Sequence, residues 1–336
     1  MAQRAEAAAT FCARAPTTMP DYHLFGSVLR SDIELVELSP CTGLAPRWHL
    51  GRVDDGPPSS ALEALGSEPV EAGVTVTLYR GDGFVRLAFD DTGSFDLSAD
   101  GRHIRWLAPA TPNLDSVRKD VLGRVFAVCL ELEGTTTLHG SAVDIDGEGV
   151  AFLAPKFHGK STTAAAIVDR GGRLLADDLV AVTAGAPPHV VPSVPVVQLW
   201  QDSAERVARI GASARGDGSS VKVQIGWDDS GRNATSSVAF TAAYLLDPFK
   251  PDGARGVKRE RLPHVPATLA LLGQTKVGRL LGPRWRASLL GRLANIAGHV
   301  PVYRLEVPRD YDRLDELTEA LWSWHASELA GAGAGR

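Results

Sequence analysis

The sequence is short of cysteine, of long apolar runs and of any excess of positive charge. Its 336 residues include only three cysteines, Cys12, Cys41 and Cys129, which lie too far apart in the chain to form a metal-binding pair. An odd and sparse cysteine count is typical of a protein whose thiols stay reduced. We therefore expect packed or surface thiols rather than a disulfide framework.

The other two absences bear on location and partners. No apolar run reaches the roughly 20 residues that a membrane-spanning helix needs, and the N-terminal AEAAATFCARA is too broken and acidic for a signal peptide. A cytoplasmic protein without membrane contact is the expectation. Because 35 basic residues stand against 40 acidic ones, the net charge of −5 gives no polyanion-binding signature, and nucleic acid is not an expected partner.

Composition and length indicate a globular protein with a large core. Apolar residues make up 44% of the chain and charged residues 22%, which is ordinary for such a protein. The length suggests two domains or one large one, and no internal repeat is visible. Residues 1–20 mix Ala with Arg, Thr and Pro and are predicted to be disordered, as is the Gly- and Ala-rich tail 330–336.

Residues 21–110 have the pattern of an antiparallel β domain. Apolar and polar residues alternate in YHLFGSVLRSDIEL from Tyr22 onward, as in half-buried strands. A β-branched run at Val74–Tyr79 and a second run at Phe84–Phe89 flank the turn Gly81-Asp82-Gly83, which predicts a hairpin. The segment contains few candidate catalytic residues, so we expect a scaffold or a substrate-docking surface and not a catalytic site.

Residues 111–329 are predicted to form an α/β domain with a mixed sheet. Apolar residues recur at helical spacing over 113–132, which predicts an amphipathic helix, and Thr135–Val143 reads as the strand that follows it. Several strands after Asp178 follow one another without long helices between them, which argues against a purely parallel sheet. Candidate functional residues concentrate in this second domain.

Candidate functional residues are most concentrated between residues 138 and 182. Gly149–Leu153 is a short apolar run typical of a buried strand. A loop follows and ends in Gly159-Lys160-Ser161-Thr162, and the helix-forming run Thr163–Val168 comes next. A second apolar strand then leads into Asp177-Asp178. This order is that of a phosphate-binding loop followed by an acidic strand end.

The residue types suit phosphate and a divalent metal. A loop between a strand and a helix N-terminus directs backbone N–H groups and the positive end of the helix dipole at an anion. In such loops a Lys reaches the β- and γ-phosphates, a Ser or Thr hydroxyl ligates Mg²⁺, and a nearby acid completes the metal site. Lys160, Ser161 and the pair Asp177 and Asp178 can fill these roles. The bland alternative is a strand-to-helix turn that only begins a helix.

The loop departs from the usual pattern G-x-x-x-x-G-K-[ST]. Its first glycine is replaced by Ala154, and the bulky residues Lys156, Phe157 and His158 stand where small ones are usual. Glycine is preferred in such loops because it adopts positive φ easily and lets the backbone approach a phosphate closely. We expect the bulky side chains to point outward and to leave the backbone N–H groups free; the alternative is that they fill the space that a β-phosphate needs, so that only a smaller anion fits.

The segments LHGSAV, APKFHGKST and RGGRLLADDLVAV resemble the core of the HPr kinase/phosphorylase family, especially its divergent members found beside ribosomally made peptides such as lasso peptides. The resemblance covers about 45 residues well and the rest weakly. It implies an HPr kinase-like P-loop domain that uses ATP and Mg²⁺. It also implies that Asp177 is the catalytic base, that His139 lies near the transferred phosphoryl group, and that Ser161 and Asp178 contact the metal.

The same resemblance implies a set of nucleotide-binding residues. A Lys in the lasso-associated members follows a Gly-rich loop downstream, which makes Lys222 a candidate for a second phosphate contact. The alternatives are a solvated Lys on an edge strand and, for His139, a structural histidine whose ring is satisfied in the core. The nucleotide-binding set is Ala154, Pro155, Lys156, Phe157, His158, Gly159, Lys160, Ser161, Thr162 and Lys222.

Three functional hypotheses follow. The leading one is ATP-dependent phosphoryl transfer to a hydroxyl of a peptide, protein or small metabolite. The second is a catalytically inactive nucleotide- or phosphate-binding module that acts as a partner in peptide maturation, which the bulky loop favours. The third is a phosphatase or phosphorylase that runs the same site in reverse. Neither the acceptor nor the oligomeric state can be read from the residues.

Overall fold

The computed structural model describes residues 19–71, 73–207, 213–215, 222–227, 231–249 and 256–332. Most of the segment 1–20 and residues 333–336 of the tail, both predicted to be disordered, lie outside these ranges. The chain forms two compact units, the first made of Met1–Thr135 with Lys276–Leu289 and the second of Thr136–Thr275 with Leu290–Arg336. The predicted fold class, an N-terminal β unit followed by a mixed α/β unit, is confirmed.

The first unit contains a nine-stranded sheet in the order β3-β1-β2-β4-β9-β8-β7-β6-β5. All neighbours pair antiparallel except β2 with β4 and β4 with β9, which are parallel. The prediction was an antiparallel sheet, and these two pairs depart from it. The predicted hairpin is confirmed as β6 and β7, which pair antiparallel. The strands are β1 Asp21–Leu24, β2 Ser27–Ser31, β3 Pro40–Cys41, β4 Trp48–Val53, β5 Glu63–Glu71, β6 Val74–Arg80, β7 Phe84–Phe89, β8 Gly93–Ser98 and β9 His103–Leu107.

The helical segment predicted over 113–132 packs within this first unit. It consists of α1 (Leu114–Asp120), a π-helical turn (Val121–Val125) and α2 (Phe126–Leu132). The ring of Phe126 meets the buried ring of Trp48 edge-on, with centroids 5.5 Å apart. Because this apolar face is buried in the first unit, the compact units divide after Thr135, whereas the sequence suggested a boundary at 110.

A buried carboxylate lies where α1 meets the π-helical turn. Asp120 is only 9% exposed, and its Oδ2 accepts a hydrogen bond of 2.7 Å from the Thr92 hydroxyl. Burial raises the pKa of Asp120 to about 6; the Thr92 hydrogen bond opposes the rise, and the nearby charge of Asp91 adds to it. The folded protein therefore takes up a proton at a pH where the unfolded chain has already lost it.

This carboxylate gives stability a specific pH dependence. Its unfolded pKa is about 4, so the folded state binds the extra proton between about pH 4 and pH 6, and the free energy of unfolding falls as pH rises through that window. Asp120→Asn removes this loss and still accepts the Thr92 hydrogen bond. We expect the variant to match the parent near pH 4 and to exceed it by about 1–3 kcal/mol at pH 7 in urea titrations.

The exposed turn residue Asp82 supplies the control for that comparison. Asp82→Asn removes one negative charge from the same unit without touching Asp120. A stability difference between Asp120→Asn and the parent that stays constant from pH 4 to pH 7 would contradict the assignment.

The second unit is built on a mixed sheet. Strands β12 and β19 pair parallel, β19 and β21 pair parallel, and the remaining pairs are antiparallel. The main path runs β10-β14-β15-β19-β12-β11-β13. Strand β21 also pairs with β19, and β20 pairs with β21; a separate small sheet has the order β16-β18-β17. The strands are β10 Thr136–Leu138, β11 Gly140–Ile145, β12 Glu148–Leu153, β13 Arg173–Asp177, β14 Val180–Val182, β15 His189–Val191, β16 Val196–Trp200, β17 Ser213–Arg215, β18 Lys222–Gly226, β19 Val238–Phe249, β20 Lys258–Arg261 and β21 Val302–Pro308.

Helix α3 (Lys160–Asp169) is the central helix of the second unit's core. Its middle, from Thr163 to Val168, is buried on all sides, in keeping with its Ala-rich and apolar composition. The predicted final helix extends to Ala332, which places residues 330–332 in a helix and not in the predicted disordered tail. The other helices are α4 Gln201–Val207, α5 His264–Gly273, α6 Pro283–His299 and α7 Leu314–Ala332, with 3₁₀ turns at Ser59–Ala61 and Tyr311–Arg313.

In the part of the chain that the structure describes, no helix combines the length and the apolar character that a membrane crossing requires.

Candidate active site

The candidate site begins where β12 ends. The chain leaves the sheet after Leu153, forms the loop 154–159 and enters α3 at Lys160. Gly159 has φ +85°, a left-handed conformation that glycine adopts without strain, and its carbonyl accepts the hydrogen bond from Thr163 N that starts the helix. Because no side chain caps this helix, its first N–H groups are available to an anion at the loop.

The side chain of Lys160 lies along the loop. Its Nζ donates to the carbonyl oxygens of Ala154 at 2.8 Å and Pro155 at 3.0 Å, and the residue is 8% exposed. These contacts place the ammonium group next to the helix N-terminus. The arrangement therefore concentrates positive potential where phosphate oxygens would bind.

The two bulky residues of the loop differ in their surroundings. Phe157 adopts φ +69°, a conformation that suits glycine. The residue is 66% exposed, and its ring stacks on Trp200 with centroids 5.5 Å apart. The His158 ring folds back on the loop, with Nδ1 2.8 Å from the Lys156 carbonyl oxygen. The stack on Trp200, the last residue of β16, compensates part of the backbone strain at Phe157.

The first residue of the acid pair is buried and fully engaged on one oxygen. Asp177 ends β13, and its Oδ1 accepts hydrogen bonds from the hydroxyls of Ser141 at 2.6 Å and Ser161 at 2.8 Å. Its Oδ2 accepts one from the backbone N–H of Gln198 at 3.0 Å. Burial raises the pKa of Asp177, these three donors oppose the rise, and the charge of Asp178 adds to it.

The second residue of the pair is strained and accessible. Asp178 has φ +67°, and its side chain is 54% exposed. His139 Nδ1 lies 3.2 Å from Asp178 Oδ1 and 3.3 Å from its carbonyl oxygen. Because both neighbours are acceptors, His139 Nδ1 carries a proton and donates toward them.

His139 lies at a bend and not within a strand, which corrects the expected strand over Thr135–Val143. The strand is divided into β10 and β11 because the chain changes partners there. Strand β10 pairs with β14, whereas β11 pairs with β12 and β13. The His139 N–H instead donates to the Gln274 carbonyl at 2.6 Å. The bend brings the His139 ring to Asp178.

The sheet brings the loop 154–159 and the two acids to one edge, the one at which β12 and β13 end. Strand β11 lies between β12 and β13, with Gly140 opposite Leu153 and Ser141 opposite Asp177. Glycine is required at 140 because a Cβ there would lie 2.5 Å from a Leu153 methyl and 2.7 Å from the Phe152 carbonyl oxygen. The C-terminal ends of β12 and β13 therefore flank the start of β11.

The structure thus brings together five of the residues selected from the sequence. Three others near them, Ser141, Gln198 and Trp200, were not anticipated. Lys222 begins β18 opposite Trp200, and its side chain lies outside the described part of the structure. The residues at the shared edge are His139, Lys160, Ser161, Asp177 and Asp178.

The donor set fits Mg²⁺ held together with phosphate. Within the described ranges, no cluster of three or more His, Cys, Asp or Glu side chains could hold a metal by itself. Mg²⁺ at phosphate sites needs only one or two protein oxygens beside the phosphates and water. The Ser161 hydroxyl donates a hydrogen bond to Asp177, so the lone pairs of its oxygen remain for a cation. The exposed Asp178 carboxylate is accessible nearby.

The chain is similar to HPr kinase/phosphorylase. The protein of that name from Bacillus pumilus is 42% identical over 65 residues, 19% of this chain and 21% of its own length. The one from Exiguobacterium sibiricum is 50% identical over 52 residues, 16% of this chain and 17% of its own length. The chain thus spans about a fifth of the length of the curated relatives it matches.

No family model matches the sequence. Among solved structures, the Hpr(Ser) kinase/phosphatase from Coxiella burnetii aligns with a TM-score of 0.32 and 15% identity, over 59% of this chain and 94% of the other. The sequence similarity supports a relationship to the HPr kinase/phosphorylase family over the matched residues.

Proposed function

We propose that the protein is a kinase that transfers the γ-phosphoryl group of ATP to a hydroxyl. The observation that carries the proposal is the hydrogen bond between Ser161, at the start of the loop's helix, and Asp177, at the end of β13. It joins a candidate phosphate loop to a candidate base, which a simple helix start does not need. The similarity to HPr kinase/phosphorylase supports the same reaction class.

Each residue at the site has a role in this proposal. Lys160 and the N–H groups of loop 154–159 and helix α3 bind the phosphates, Thr162 and Lys222 add contacts, and His139 Nε2 lies near the transferred group. Asp177 accepts the proton of the acceptor hydroxyl. Ser161 and Asp178 would hold Mg²⁺, which supplies positive charge that stabilises the phosphates during transfer.

The acceptor we propose is a hydroxyl on a ribosomally made peptide. The support is the likeness of LHGSAV and RGGRLLADDLVAV to family members found beside such peptides, lasso peptides among them. A small metabolite hydroxyl is the other candidate within the same chemistry. The relatives that the chain matches in sequence are named HPr kinase/phosphorylase, so the reverse reaction is a further activity to assay.

The second candidate function is a nucleotide- or phosphate-binding module without catalysis. The observation that favours it is the bulky sequence Lys156-Phe157-His158 in a loop that usually carries small residues. The stack of Phe157 on Trp200 argues against it, since that ring is held against the small sheet. A loop variant separates the two candidates.

The variant is Phe157→Gly with His158→Ala. If the native side chains leave the phosphate site open, the variant is expected to bind Mg·ATP within about threefold of the parent, since it loses at most one weak contact. Isothermal titration of both proteins with Mg·ATP measures this. Trp200→Ala is the matched control, because it removes the stacking partner and leaves the loop sequence intact.

A large gain in Mg·ATP affinity in the loop variant would show that the native side chains block the nucleotide. The kinase proposal would then give way to the binding module.

A further inference from the structure

Ser141 is a buried hydroxyl that the proposed function has not used. It is fully buried on β11, directly opposite Asp177 on β13, and donates to Asp177 Oδ1 at 2.6 Å. Together with His139, two residues earlier, it provides one partner for each member of the acid pair. His139 contacts Asp178, and Ser141 contacts Asp177.

The hydrogen bonds on Asp177 leave one acceptor position open. An ionised carboxylate has about four lone-pair positions, two on each oxygen. Among the residues that the structure describes, Ser141 and Ser161 take both positions on Oδ1, while Oδ2 accepts only the Gln198 N–H. The remaining position on Oδ2 is therefore where an acceptor hydroxyl would donate.

The three donors differ in how firmly they are placed. Ser161 begins the helix that follows the phosphate loop and would also share its oxygen with a cation. Ser141 lies in an interior strand, hydrogen-bonded on both sides by β12 and β13. The Gln198 N–H belongs to the small sheet's β16. Ser141 is the only one of the three whose donor sits on a strand with two neighbours in the main sheet.

We propose that Ser141 is a positioning residue that holds the Asp177 carboxylate with the open position of Oδ2 toward the acceptor. The inference rests on the proposed kinase function and names a residue on which that function depends. In the transfer, the acceptor O–H proton moves to Asp177 Oδ2, a bond forms between the acceptor oxygen and the γ-phosphorus, and the bond from that phosphorus to the β–γ bridging oxygen breaks to release ADP.

The test uses binding and needs no identified acceptor. Mg·ADP alone probes the phosphate loop, whereas Mg·ADP with aluminium fluoride mimics the transferred phosphoryl group with a water in the acceptor position. A positioning residue for Asp177 affects only the second complex, because only there does a hydroxyl lie against Oδ2. Titration calorimetry of both complexes separates the two effects.

Three variants are compared with the parent. Ser141→Ala is expected to bind Mg·ADP normally and to lose about tenfold of the additional affinity that aluminium fluoride provides, as for one hydrogen bond to a charged group. Ser141→Thr keeps the hydroxyl in a side chain that strands accept, and it restores that affinity. Ser203→Ala is the matched control, since it removes an equally buried hydroxyl that pairs with Tyr311 at 2.7 Å.

Each result supports or overturns a specific statement. If the parent gains affinity with aluminium fluoride and Ser141→Ala gains as much, the role of Ser141 is wrong and the kinase proposal stands. If the parent binds neither complex, the kinase proposal fails and the inference with it. If Ser141→Ala does not fold, Ser141→Cys replaces it, because a thiol has similar size and is a weak donor.

Discussion

In the Asp177→Asn variant, turnover of Mg·ATP is expected to fall by about 10²–10⁴ while nucleotide binding persists. The amide has nearly the same shape as the carboxylate, so the hydroxyls of Ser141 and Ser161 keep an acceptor. The variant cannot take a proton from the acceptor, and it loses the negative charge. Hydrolysis of Mg·ATP, with water as the acceptor, measures turnover, and calorimetry with Mg·ATP measures binding.

Asp146→Asn is the control for this variant. Asp146 follows the last residue of β11, at the opposite end of the strand from Ser141, and the same acid-to-amide change there should leave turnover unaltered. Unchanged turnover in Asp177→Asn would exclude Asp177 as the base. The role would then pass to Asp178 or His139, which contact each other at the same edge.

The second large effect is expected at Lys160. In Lys160→Ala, affinity for Mg·ATP should fall by about ten- to a hundredfold or more, because one charge-assisted phosphate contact contributes about 1.5–3 kcal/mol. We expect the fold to survive, because Lys160 Nζ donates to the carbonyl oxygens of Ala154 and Pro155 in its own loop. Titration calorimetry measures the affinity, and circular dichroism verifies the fold.

Arg170→Ala provides the comparison for charge. It removes one positive charge at the other end of α3, and its affinity for Mg·ATP should equal that of the parent. If Lys160→Ala also binds Mg·ATP as the parent does, the loop is not a phosphate cradle.

Sequence patterns predicted the elements whose signals are local. The β-branched run VTVTLY and the run FVRLAF, on either side of the turn Gly81-Asp82-Gly83, correspond to β6 and β7, and the apolar run Gly149–Leu153 corresponds to β12. Helix α3 includes the predicted helical run Thr163–Val168 but begins three residues earlier, at Lys160. In each case the hydrophobic period or the turn residues specify the element without reference to distant parts of the chain.

The features that the sequence did not reveal depend on strand pairing. His139 lies at a bend because β10 and β11 have different partners, and that choice is made by strands elsewhere in the chain. Gln198 acts through its backbone N–H, which leaves no trace in residue type. Ser141 could have been suspected from its position two residues after His139, but its partner became evident only when β11 and β13 were paired.

The order of strands in the second unit has a further consequence for how the site can vary. Adjacent strands lie about 4.8 Å apart, so the ends of β12 and β13, on either side of β11, are held roughly 10 Å apart by the hydrogen-bonded ladder alone. Loop residues such as Phe157 can therefore be exchanged, in evolution or by design, without changing the distance between the end of β12, where the loop begins, and the end of β13, where Asp177 lies. Gly140, at the start of β11, cannot be exchanged in this way, because any side chain there would push against Leu153 and alter that spacing.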